Sequence, residues 1–150
     1  MNESRSMEIL LVEDNLQDLQ LTQRALRNVT NHILVARDGA EALEVIFCEG
    51  EHAGRRIEDA PRVILLDLKL PKVDGLEVLQ RIKADPRTRG IPVVMLTSSK
   101  EQSDVVRSYN LGVNSYIVKP VEFESFANAV RELGLYWLLL NHAPTGQESP

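Results

Sequence analysis

The chain has 150 residues, 43% of them hydrophobic and 26% charged, with a net charge of −5. That fits one ordinary globular domain with enough length for a real core, and the acidic balance supplies no basic stripe for tracking a nucleic-acid backbone. One cysteine excludes an internal disulfide and fits a reducing compartment; no apolar stretch is long enough to span a bilayer and MNESRS lacks the regions of a signal peptide, so a cytoplasmic location is expected.

Residues 1–6 read as a flexible N-terminus. EILLV then predicts a first strand that ends at Glu13 and Asp14. From Asn15 to Asn28, Leu16, Leu19, Thr22, Leu26 and Val29 fall near one helical face. HILVA reads as the second strand. Asp38, with Glu41 three residues later, is placed to open the next helix. Cys48 is expected as a small buried side chain on that helix. CEGEHAGRRIEDAP is polar and unrepetitive and reads as a surface loop.

RVILLDL predicts a third strand ending at Asp67. A helix follows from about Gly75 to Ala84 and stops before Asp85-Pro86. IPVVMLTSS is a fourth strand ending at Thr97. A helix from about Gln102 to Asn110 closes at Leu111-Gly112, and SYIVKP is a fifth strand ending at Lys119. In the last helix Phe123, Phe126, Ala127, Val130, Leu133 and Trp137 keep the spacing of a core-facing stripe. Beyond Gly134 the pattern gives way to LYWLLL, apolar around most of a helix. That surplus (Leu135, Tyr136, Leu139, Leu140) predicts either a surface that meets a second chain or a longer helix folded back on its own domain. Residues 141–150 are expected to be a disordered tail, leaving residues 7–140 as the domain, with an extended fifth helix.

Strands alternating with helices predict a parallel sheet covered on both faces, and in such sheets ligands bind at the C-terminal ends of the strands. Those ends carry Glu13, Asp14, Asp67, Thr97 and Lys119. Like charges about 4 Å apart repel by roughly 4 kcal/mol at an effective dielectric near 20. Clustered carboxylates therefore raise a pKa or recruit a cation, and oxygen ligands suit hydrated Mg²⁺. With that charge neutralised, Asp67 could attack a phosphoryl group and form an acyl phosphate. Thr97 and Lys119 could then bind the remaining phosphoryl oxygens.

VEDN, LLDLKLPKVDGLEVL, VVMLTSS and YIVKP together resemble the receiver domain of two-component response regulators, from about Met7 to Gly134. The resemblance implies a doubly wound (βα)5, flavodoxin-like or CheY-like fold with a five-stranded parallel sheet in the order 2-1-3-4-5. It implies a histidine kinase as phosphoryl donor, Mg²⁺ as cofactor, and a phospho-acceptor switch rather than an enzyme. Asp67 would be the acceptor. Asp14, Asp67 and the backbone carbonyl of Lys69 would bind the metal directly, and Glu13 through water. Thr97 would be the switch hydroxyl, Lys119 the phosphate-binding lysine, with a cis bond to Pro120. Tyr116 would be the aromatic that moves inward with Thr97. The closer similarity is to stand-alone receivers that partner bacterial phytochromes: VEDN with Asp18 four residues on, the long loop before the acceptor strand, LTSS with Ser103-Asp104, NSYIVKP, and Tyr136-Trp137. That subgroup implies homodimers through the fourth helix, fifth strand and fifth helix, with Leu135, Tyr136, Trp137 and Leu140 at the contact. With no room for an output domain, signalling is expected to run through an unknown downstream protein.

Lys69 and Ser99 depart from the commonest residues at their places, which predicts an altered phosphoryl lifetime. Two other readings are a Mg²⁺-dependent phosphatase with an aspartyl nucleophile and a scaffold that is never phosphorylated. The first ordinarily needs an acid where Lys69 stands; the intact acids, threonine and lysine oppose the second.

Overall fold

A computed structural model describes residues 8–27, 29, 32–98 and 102–135, with the side chains of residues 58, 97, 102–104 and 106 outside the description. Five strands, β1 (Ile9–Val12), β2 (Ile33–Ala36), β3 (Val63–Asp67), β4 (Val93–Thr97) and β5 (Ser115–Val118), alternate with five helices. The helices are α1 (Leu16–Ala25), α2 (Gly39–Phe47), α3 (Gly75–Ala84), α4 (Gln102–Asn110) and α5 (Phe123–Glu132). The sheet is parallel throughout, in the order β2-β1-β3-β4-β5.

The near-continuous apolar runs of β1 and β3 follow from this layering, because helices cover both faces of a parallel sheet. Alternate residues serve opposite cores. Leu10, Val12, Ile64 and Leu66 pack with α2 and α3, whereas Ile9, Leu11, Val63 and Leu65 pack with α1 and α5. All eight are fully buried. At about 1.5–3 kcal/mol for each such side chain removed from water, these two strands are a major source of the fold's stability. Asn15 caps α1 by accepting from the Asp18 amide, and Asp38 caps α2 by accepting from the Glu41 amide.

Several expectations need correction. Leu16 (56% exposed) and Phe123 (45%) leave the buried stripes to which periodicity assigned them. Each is the first residue of its helix. One turn later Leu19 and Phe126 are buried. Cys48 is not buried on α2 but half-buried at its end, as a left-handed C-cap with φ 57°. The polar loop before β3 contains two short 3₁₀ turns, Gly50–His52 and Ile57–Asp59.

The fifth helix does not run on unbroken. Gly134 adopts φ 76°, and the Leu135 amide turns back to the Val130 carbonyl at 2.9 Å, closing the helix. Leu135 packs partly buried against the core between the sheet and α1/α5. Tyr136, Trp137, Leu139, Leu140 and the N- and C-terminal tails lie outside the described residues.

Candidate functional site

Strand register assembles the site. Val12 pairs with Leu66, so Glu13 falls level with Asp67. Asp67 pairs with Leu96, which places Thr97 one residue further along the neighbouring strand, and Thr97 pairs with Val118, just before Lys119. The five polar residues expected at strand ends thus reach one edge, although the Thr97 side chain and Ser99 lie outside the described residues.

Glu13, Asp14 and Asp67 each offer an oxygen within 4.8 Å of the others. Glu13 and Asp67 are buried and Asp14 is exposed. Lys119 reaches across from β5. Its Nζ donates to Asp67 Oδ2 at 3.0 Å and to Asp18 Oδ2 at 3.0 Å, and lies 2.6 Å from Glu13 Oε1. That last contact is an ion pair outside hydrogen-bonding geometry, which leaves Glu13 Oε1 buried without a hydrogen bond. The other Glu13 oxygen accepts from the Asn15 amide at 3.1 Å.

Electrostatics follow from this packing. Burial drives the Glu13 pKa up to about 7 and the charge of Asp67 adds to the rise, against the opposing pull of Lys119 and the Asn15 amide. Burial alone would lower Lys119, but its close contacts with Glu13 and Asp18 and the charge of Asp67 outweigh that cost and raise it. Three carboxylates share one ammonium, with that of Asp14 beside them. Such a pocket still has negative charge to offer, and an all-oxygen donor set with one buried, unbonded oxygen fits a hard divalent cation such as Mg²⁺ or Mn²⁺.

After β3, Gly75 opens α3 directly against the end of that strand, its amide donating to the Leu68 carbonyl at 3.0 Å. A side chain there would overlap the carbonyls of Asp67 and Leu68. Lys69 sits in the bend after β3, exposed. Tyr116 is half-buried and packs against the core on the α2/α3 side of the sheet, and the Lys119-Pro120 peptide is cis.

Sequence reasoning did not assign a role to Asp18 or Arg37. Asp18 lies four residues after Asp14, one turn into α1, where its carboxylate meets Lys119. Arg37 follows β2, and since Val12 pairs with Ala36, it stands level with Glu13. Neither is marked by local patterning: Arg37 needs the β1–β2 register, and Asp18 a contact with Lys119 101 residues away.

A parallel α/β sheet with clustered carboxylates and a lysine at the C-terminal ends of its strands defines a doubly wound fold with its polar site where such sheets bind ligands. Residues 9–131 match the response regulator receiver domain family, and the chain belongs to it. Receivers hold Mg²⁺ at an acidic pocket of this kind. Among solved structures, the bacteriophytochrome response regulator RtBRR is 55% identical, with a TM-score of 0.81 over 95% of this chain and 86% of that one. Response regulator Rcp1 of Synechocystis sp. is 41% identical over 134 residues, 87% of this chain and 88% of its own. A Mn(2+)-bound crystal form of Rcp1 superposes with a TM-score of 0.71 over 88% of this chain and 94% of that one, at 38% identity. The probable methanogenesis regulatory protein FilR2 of Methanothrix harundinacea is 46% identical over 138 residues, 91% of this chain and 86% of its own. Among the described residues, no helix is long and apolar enough to cross a membrane.

Proposed function

We propose that the chain is a single-receiver response regulator that accepts a phosphoryl group on Asp67 from a sensor histidine kinase of the phytochrome type. The observation that carries this reading is the buried Asp67 carboxylate, held at 3.0 Å by Lys119 within the acidic cluster. The similarity to RtBRR supports the phytochrome-type donor.

An Asp67 oxygen attacks phosphorus as the bond to the donor's histidine nitrogen breaks, and the imidazole leaves with the bonding pair. The product is an acyl phosphate. Asp14, Asp67 and the Lys69 carbonyl, with Glu13 through water, would hold Mg²⁺, which when bound would supply positive charge to offset the carboxylates as a phosphoryl group approaches. Lys119 exchanges part of its carboxylate contact for a phosphoryl oxygen, and the Thr97 hydroxyl binds another. Drawing Thr97 toward the site makes room for Tyr116 to turn inward. Phosphorylation thereby biases a two-state surface on α4, β5 and α5.

That face exposes Tyr109 (50%), Val118 (37%) and Phe123 (45%), apolar area that suits a second copy of the chain. Sedimentation of Trp137→Ala and Leu140→Glu variants tests the dimer, and an unchanged mass for both would remove those residues from the contact. The switch itself is tested with Mg²⁺ and beryllofluoride, a phosphoryl mimic. One equivalent bound per chain is the expected result; no binding would favour the unphosphorylated scaffold.

A further inference from the structure

We propose that Arg37 is a positioning residue for the cation site, acting by fixing the backbone that carries Asp14. One guanidinium makes both contacts: Nε donates to the Glu13 carbonyl at 3.1 Å and Nη2 to the Asp14 carbonyl at 2.9 Å. These carbonyls belong to the two peptide planes that flank the Asp14 Cα. Holding both planes sets the direction of the Asp14 side chain, which matters because that carboxylate is exposed and has no surrounding core to orient it.

Arg37 is itself fixed. Its amide donates to Glu41 Oε1 at 3.0 Å, and the Glu13 amide donates to the Ala36 carbonyl at 3.0 Å just before it. The same turn also grips the loop after Asp67. The Gly39 amide donates to the Pro71 carbonyl at 3.2 Å, and a side chain at Gly39 would overlap the Val73 carbonyl. Residues 37–39 therefore bracket both loops that carry the acids, although β2 pairs with β1 and has no direct bond to β3.

Charge and geometry act on a bound cation in opposite directions. The Arg37 charge repels a divalent ion, so losing it would by itself tighten binding, whereas losing the fork would weaken it. The proposal rests on the acidic pocket being the cation site, and titration calorimetry of the full chain with Mg²⁺ alone separates the two. Arg37→Lys keeps the charge and breaks the two-carbonyl fork; Arg37→Ala removes both. Weakening of Mg²⁺ affinity by about tenfold in Arg37→Lys, and by less in Arg37→Ala, is expected, with melting in EDTA confirming that both are folded. Wild-type affinity in Arg37→Lys with tighter binding in Arg37→Ala would reduce Arg37 to a bystander charge and overturn the proposal. Unchanged affinity in both would do the same. Absence of Mg²⁺ binding by the wild-type chain would instead remove the cation site itself.

Discussion

Two half-buried lysines sit at opposite edges of the same sheet. Lys119, at the C-terminal ends of the strands, is surrounded by carboxylates of Glu13, Asp18 and Asp67. Lys83, at the C-terminal end of α3, meets only neutral oxygens among the described residues, before β4 and β5. It donates to the carbonyls of Arg89 at 3.1 Å and Ile91 at 3.0 Å, and to Asn114 Oδ1 at 3.4 Å. Burial lowers the pKa of Lys83, with no carboxylate to offset it, whereas the acids around Lys119 outweigh the same penalty. A buried ammonium among neutral dipoles fastens backbone to backbone. Among acids in excess it belongs to a site whose charge is unfinished, which is where a phosphoryl group and a divalent ion have something to gain.

Exchanging either lysine for methionine sets the two roles against each other. Lys119→Met should weaken Mg²⁺-dependent beryllofluoride binding by about 100-fold, the scale for losing one partner of a buried charged contact. Lys83→Met should leave that binding within about twofold and lower unfolding stability by about 1–3 kcal/mol, since it strips a donor from partly buried acceptors. Equal loss of binding from both would erase the distinction.

A finer prediction uses pH. Glu13 keeps its proton up to about pH 7 in the folded chain, against an ordinary value of 4.5, so folding takes up a proton between those values. Its contribution to stability is present below pH 4.5 and is lost as the pH rises to about 7. Glu13→Gln removes that dependence. The variant should therefore gain on the wild type across this window, with the full gain above it; denaturant midpoints at pH 5 and pH 8 measure the difference. A difference that does not grow with pH would mean that Glu13 is ionised throughout.

Much of this arrangement was legible in the sequence because apolar runs mark buried strands and their last residues mark one edge. Asp67, Glu13 and Lys119 could be placed together from strand ends alone. Gly75–Ala84 and Gln102–Asn110 were bounded by Asp-Pro and Leu-Gly signals that act locally. Periodicity erred at Leu16 and Phe123, each the first residue of its helix, since a helical stripe does not reveal at which turn burial begins. It also carried the fifth helix past Gly134, whose left-handed backbone closes it. The Lys119–Asp18 bond spans 101 residues and the Arg37 fork 23 and 24, so each depends on tertiary register that local patterning does not encode.

The central claim is that Asp67 accepts the phosphoryl group. Intact-mass spectrometry after incubation with acetyl phosphate and Mg²⁺ tests it most directly, comparing the wild-type chain with Asp67→Asn. One hydroxylamine-labile phosphoryl adduct on the wild type and none on the variant is the predicted result. The same adduct on Asp67→Asn, or none on a wild-type chain that binds Mg²⁺, would contradict it.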